Sequence, residues 1–264
     1  MACRDAYKNK IIKERKLEGA EIEEWLSVSK LLFGVNSNTR SNEILQNNLT
    51  EYEWAERNKI PPNFWGRNIN GKNALTLEEV GFLHSKACKV AAIYYPENPM
   101  ITEEQGRDDA KRAVDISLRL PIPLESAIFL EVEDDKRITR DYIKGFAEKL
   151  MEEGYVSGFK ANTDAAYIFD REYSRGLQTD EEIFKAILIW ATAPSIEEYD
   201  NITTTHLIHP DNWIPFAPSG VTRKDITVWQ YGSNCHPIYD NEDNLTMFNL
   251  DLVRNSNVII KRMF

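Results

Sequence analysis

The sequence predicts an α/β protein: a (β/α)8 TIM barrel with an extra N-terminal helix. Three observations predict it. From residue 31 onward, short runs rich in β-branched and aromatic residues alternate with longer amphipathic stretches, the pattern of parallel strands joined by helical crossovers. Eight such runs can be read, enough to close a barrel. After the first run comes Asn36-Ser37-Asn38-Thr39-Arg40, without the GxGxxG turn that marks a doubly wound open sheet. The 264 residues suit a barrel, which typically takes about 250. Two regions are therefore expected: a helical extension over residues 1–30 and the barrel over 31–264.

In chain order, the extension is a highly charged helix from Asp5 to Leu26. The first three strands are expected at Leu31–Asn36 (LLFGVN), Asn63–Ile69 (NFWGRNI) and Lys89–Tyr95 (KVAAIYY). Between the second and third, Thr76–Lys86 opens on a Thr-x-x-Glu capping box, Thr76 to Glu79, ahead of apolar Val80 and Leu83. Thr102–Arg119 places Ala110, Ala113, Val114 and Leu118 at helical spacing. The fourth strand, Ala127–Glu133 (AIFLEVE), precedes a helix at Asp141–Glu153. That helix sets Ile143, Phe146, Ala147 and Leu150 on one face, and Gly154 stops it. The fifth strand, Ser157–Ala161, is followed by shorter helices at Ala165–Arg175 and Asp180–Lys185. Strands at Ala186–Ala191, Thr205–Ile208 and Ile226–Tyr231 complete the eight. Pro210, Pro215 and Pro218 make Ser195–Ser219 the least regular stretch.

Composition removes several function classes. A formal net charge of −10 argues against a nucleic-acid binder, which needs a basic face, and against adhesion to an anionic membrane. It also disfavours bulk attraction to an anionic wall polymer, although a locally neutral cleft can still bind glycan. No run of 18 apolar residues occurs, so no membrane span is expected. The polar stretch Met1–Arg15 lacks the apolar core of a signal peptide; a cytoplasmic location, or export by a non-classical route, is the expectation. Cys3, Cys88 and Cys235 have no CxxC spacing, and Cys88 reads as a small buried hydrophobe. His206 and His209 in HLIHPD would point to opposite faces of a strand. No metal and no cofactor are expected, and no GxSxG elbow is present.

Chemistry is concentrated at the end of the fourth strand. Glu131 and Glu133 follow an apolar run at i and i+2, so on a strand they share a face. A strand buried on both sides should be apolar, and the C-terminal strand ends of α/β barrels carry the catalytic groups. Two adjacent carboxylates push their pKa values apart, leaving one as general acid and the other as a charge stabiliser. Glycoside cleavage requires that division. The alternative is a solvated strand end, which Asp134 and Asp135 directly afterwards would also fit.

Several segments in order carry a family resemblance: Gly34-Val35-Asn36-Ser37, Phe64-Trp65-Gly66-Arg67-Asn68-Ile69, Phe129-Leu130-Glu131-Val132-Glu133, Glu153-Gly154-Tyr155-Val156-Ser157-Gly158-Phe159, Trp229-Gln230-Tyr231, and Asp251 in Phe248-Asn249-Leu250-Asp251-Leu252. Together they resemble the uncharacterised bacterial domains called glycoside-hydrolase-like. More distantly they are similar to the family 25 lysozymes, which are N-acetylmuramidases. The resemblance runs from about Leu31 to Asp251 and implies the β/α barrel. It implies Glu133 as general acid, Glu131 at the place of the aspartate in the lysozymes' Asp-x-Glu motif, and Asp251 as the late aspartate. Asn36 stands where the lysozymes carry an aspartate, which removes one carboxylate. Glu131 in place of Asp carries its carboxylate about 1.5 Å further out, one C–C bond length.

Other residues would line a substrate site. Trp229, Gln230 and Tyr231 could stack on sugar faces and bond a hydroxyl, or Trp229 could be a core tryptophan. Of Tyr94 and Tyr95, one ring should face the barrel mouth and the other the helices. Arg67 could pair with the two glutamates as a structural ion pair. Lys160, with Asn162 at the fifth strand end, would neutralise Glu131 or Glu133, or form a Schiff base as in barrel aldolases. Two main readings result. One is a hydrolase of β-1,4-linked amino-sugar polymers such as peptidoglycan. The other is a non-catalytic glycan-binding or interaction module on a degenerate hydrolase barrel.

Overall fold

The computed structural model describes residues 31–45, 48–57, 61–198, 210–235, 247–254 and 261–264. The expected helix Asp5–Leu26, the expected strand Thr205–Ile208, and His206 and His209 lie outside the described residues. The strands are β1 (Leu31–Asn36), β2 (Phe64–Asn68), β3 (Lys89–Tyr94), β4 (Ala127–Glu131), β5 (Val156–Ala161), β6 (Leu188–Ala191), β7 (Glu197–Glu198), β8 (Ile226–Cys235) and β9 (Phe248–Arg254). The helices are α1 (Glu51–Arg57), α2 (Leu77–Ser85), α3 (Glu103–Arg119), α4 (Arg140–Glu152), α5 (Ile168–Thr179) and α6 (Glu181–Ala186).

Eight strands close the barrel in the order β1–β2–β3–β4–β5–β6–β8–β9 and back to β1, while the two-residue β7 pairs with β8. The pairings from β1 through β6 and from β6 to β8 are parallel. Strand β9 is antiparallel to both β8 and β1. The α/β barrel is thus as the sequence predicts, except that its last stave is antiparallel and was not read as a strand. Antiparallel neighbours need no helical crossover, so the alternation used to find the other strands is missing there. Asp251 also interrupts the apolar run.

Alternation along the strands produces two cores. Positions facing outward join the helices in a large cluster that includes Val35, Tyr94, Leu130 and Phe159. Positions facing inward form a second cluster around Phe64, Phe129, Trp190, Val228 and Val253. Large rings fit inside because glycines face them. A Cβ on Gly34 would lie 2.2 Å from the Phe64 ring, and one on Gly158 would lie 2.3 Å from Phe129. At the N-terminal end of the barrel, residues 262–264 pack across the starts of β3 and β4. Phe264 exchanges backbone hydrogen bonds with Val90 (2.7 and 3.1 Å), Ala127 N–H donates to Arg262 O (2.7 Å), and Met263 joins the inner core. These residues fill the barrel interior from below, and the polar strand ends gather at the C-terminal mouth.

Helix starts follow local chemistry. Thr102 caps α3 through a complete capping box with Gln105. Thr76 Oγ1 accepts the Glu79 N–H at the start of α2, but the Glu79 carboxylate does not return to the cap. It turns inward to Arg67 at 2.8 Å, because a buried guanidinium demands a partner more strongly than an exposed N–H does. Helix α4 is followed by Gly154 at φ +83, a left-handed position suited to glycine.

Candidate active site at the barrel mouth

Each inward-facing row changes from apolar to polar at the top. In β4 it runs Ala127, Phe129, Glu131; in β1, Leu32, Gly34, Asn36; in β9, read upward, Val253, Asp251, Asn249. These polar ends form one connected network. Lys160 Nζ donates to Glu131 Oε1 at 2.7 Å and to Asn36 Oδ1 at 3.2 Å. Asn36 Oδ1 also accepts from Asn249 Nδ2 at 2.8 Å. Asn36 Nδ2 donates to Asp251 Oδ2 at 2.7 Å and Gln230 Oε1 at 3.2 Å. The second Asp251 oxygen accepts the Trp190 indole N–H at 2.9 Å. The Trp190 ring lies below Lys160, whose ammonium is 5.7 Å from its centroid.

Burial dominates the electrostatics of Asp251. The residue is fully buried, and desolvation pushes its carboxyl up to about 7 against the lowering effects of Asn36, Lys160 and Trp190.

Glu133 is held differently. Strand β4 ends at Glu131. The Val132 N–H still bonds Lys160 O at 2.8 Å, and Glu133 emerges in the loop beyond, its side chain 43% exposed. Its Oε2 accepts the Tyr95 phenol at 2.7 Å and has Lys136 at 3.7 Å. The hydrogen bond to Glu133 and burial together raise the Tyr95 phenol to about 12. Glu131 and Glu133 both line a cleft of about 350 Å³ whose walls include five asparagines, 36, 38, 68, 234 and 249. Tyr95 and both glutamates also border a neighbouring hollow of about 380 Å³ formed with the loop from Pro96 to Ile101 and with Lys136 and Arg137. Both acidic side chains thus border the same cleft, each with its own donor.

Other predicted site residues lie elsewhere. Arg67 is fully buried and does not approach Glu131 or Glu133. It pairs with Glu79 and donates to Ser37 O (2.5 Å) and Asn73 O (2.6 Å), bracing the loop after β1 from behind. Tyr94 faces the helices and donates to Asp109 at 3.0 Å, while Tyr95 faces the cleft, the split that strand alternation predicts. Trp229 and Tyr231 are fully buried on the outer face of β8, with the Trp229 indole bonded to Pro194 O at 3.0 Å. Neither ring can stack on a sugar; only Gln230 of that triplet turns inward. Asp251 lies beneath the cleft and reaches it through Asn36. Asn162 bonds Asp134 at 3.1 Å beside the loop after β4.

Lys160 neutralises Glu131, as expected. Its bonds to two oxygens fit a structural cation and not an amine that must present a lone pair to a carbonyl. Sequence reasoning missed Trp190 and Asn249. The usable signal for Asn249 was its i−2 relation to Asp251, which puts both on the inner face of β9. Among the described residues, no group of three or more His, Cys, Asp or Glu is placed to hold a metal ion, and no helix is long and apolar enough to cross a membrane.

Comparison with known proteins agrees with this architecture. Residues 61–244 match the family described as "Rv2525c-like, glycoside hydrolase-like domain". A crystal structure of an uncharacterized B. stearothermophilus protein superposes with a TM-score of 0.72 at 21% identity, covering 88% of this chain and 100% of that one. The Mycobacterium tuberculosis Tat-secreted protein Rv2525c, in complex with L-tartrate, gives 0.50 at 10% identity, covering 85% and 95%. The modular autolysin LytC from Streptococcus pneumoniae, in complex with a synthetic peptidoglycan ligand, gives 0.48 at 12%, covering 84% and 46%. At identities this low, the first two likenesses speak to the fold alone. Comparison with curated proteins returns no match.

Proposed function

Because the chain belongs to the Rv2525c-like, glycoside hydrolase-like family, we propose that its barrel mouth binds an amino-sugar polymer such as peptidoglycan and cleaves a β-1,4 glycosidic bond with Glu133 as general acid. The observation that carries this reading is the placement of Glu133. Its half-exposed carboxylate is aimed by Tyr95 into a cleft that it shares with Glu131. A general acid has to reach the leaving-group oxygen from an open position, and Glu133 has that access. The carboxamide-rich wall supplies paired donors and acceptors, suited to uncharged hydroxyl and acetamido groups. Lys160 offsets the Glu131 charge within the same cleft.

A second reading is favoured by a different observation. The 2.7 Å ion pair between Lys160 and Glu131 takes up the negative charge that a second carboxylate would lend to a developing oxocarbenium ion. On that basis the site would hold glycan without cutting it. Clearing of purified cell walls by the wild type and by Glu133→Gln separates the readings. The hydrolase reading expects a loss of about 10²- to 10⁴-fold in the variant. Equal clearing would remove Glu133 from its role. Binding of wall fragments with no product from either protein would establish the non-catalytic module.

A further inference from the structure

We infer that Asn70 is a positioning residue for the mouth, clamping the backbone of Tyr95 so that its phenol holds the Glu133 carboxylate in the cleft. The inference rests on the reading that Glu133 is the working group. The sheet has a gap beside Tyr95. Strands β2 and β3 run in parallel register as far as Asn68 and Ile93, and one more rung follows from Ile69 N–H to Ile93 O at 2.8 Å. The β2 chain then leaves the sheet through Gly71, at φ +87. Tyr95 lies just past the end of β3, where no further β2 backbone is available to bond it.

The Asn70 side chain fills that place. Its Oδ1 accepts the Tyr95 N–H at 2.9 Å, and its Nδ2 donates to Tyr95 O at 2.8 Å. A carboxamide presents one acceptor and one donor side by side, as a peptide group does. Asn70 thus adds one side-chain rung to the ladder and holds the Tyr95 backbone on both sides of its Cα, from which the phenol projects. The following loop is anchored separately, because the buried carboxylate of Asp109 accepts Asn98 N–H and Nδ2 at 3.3 and 3.2 Å.

Glu133 depends on this arrangement more than its neighbour does. Glu131 is built into β4 and held by Lys160. Glu133 sits in a loop, and its other charged partner, Lys136, is 3.7 Å away and itself half exposed. The Tyr95 phenol at 2.7 Å is therefore the close, oriented contact on the carboxylate, and Asn70 determines where that phenol stands.

The test reads the phenol and needs no turnover. Tyrosine labelled with ¹³C at Cζ is followed by NMR from about pH 7 to 11, with the Tyr95 signal assigned by its loss in Tyr95→Phe. In the wild type, whose phenol is pushed up to about 12 by Glu133 and burial, that signal should not titrate in this range. In Asn70→Ala the clamp is gone, and the midpoint should fall toward the ordinary tyrosine value of about 10, as it should in Glu133→Gln. The double variant should fall no lower, because both changes break the same bond. The buried Tyr142 reports on folding and should stay unchanged. If Asn70→Ala does not fold, Asn70→Asp keeps the acceptor for the Tyr95 N–H and loses the donor, and it should move the midpoint in the same direction. A Tyr95 signal that stays silent to pH 11 in folded Asn70 variants overturns the proposal. A protein that cleaves no glycan still answers this question, so failure of the clamp and failure of the hydrolase reading are distinguishable.

Discussion

Replacing Asp251 by asparagine should change how the stability of the fold depends on pH. Asp251 is fully buried, and its carboxyl titrates near 7 in place of 3.8 because burial outweighs the two hydrogen bonds and the nearby lysine. Between those two pH values the folded chain keeps a proton that the unfolded chain has released. The contribution is therefore complete below about pH 4 and is lost as pH rises through 7. At about 1.4 kcal/mol per pKa unit, the whole change comes to about 4 kcal/mol. Glu51, pushed up to about 8 mainly by burial, slopes the same way but is common to both proteins and cancels in their difference. Urea unfolding followed by tryptophan fluorescence, repeated from about pH 4 to 8.5, measures that difference. At acid pH the variant should be the less stable, since asparagine cannot accept from both Asn36 and Trp190 as a carboxyl can. By pH 8.5 the gap should have moved by about 4 kcal/mol in the variant's favour. Parallel stability curves across the window would refute the assignment of a buried, proton-holding Asp251.

Three further outcomes are expected. Lys160→Met removes the cation that lowers the Asp251 pKa, so the pH at which stability falls away should move upward in the same urea series. Arg67→Met leaves Glu79 buried beside Ser41 without its ion pair and should cost about 3–5 kcal/mol, the usual penalty for breaking a buried pair from one side, read as a lower urea midpoint. Gly158→Ala puts a methyl 2.3 Å from the Phe129 ring inside the barrel and should cost about 1–3 kcal/mol by overpacking, measured as a drop in Tm.

The sequence by itself determined the features that depend on local periodicity. Seven expected strands overlap observed barrel strands, β1 at its expected bounds and β2 to β6 and β8 with shifted ends, whereas the barrel strand β9 was not read. The Glu131–Val132–Glu133 end was legible because carboxylates after an apolar run break a local rule. Lys160 was legible for the same reason, and its pairing with Glu131 follows from the side-by-side register of β4 and β5.

Only the tertiary structure decided which side of the sheet each remaining residue serves. Trp229 and Gln230 are adjacent in the chain, yet one is sealed outside the barrel and the other turns into its mouth, because strand phase depends on register with neighbours far away in sequence. Arg67 had a plausible partner in either glutamate of the mouth and found Glu79 instead, since a buried guanidinium pairs with the carboxylate that its own rotamer and the packing of α2 bring within 2.8 Å. The proton affinity of Asp251 was equally hidden. Burial sets it, and burial comes only from closing the ring of strands.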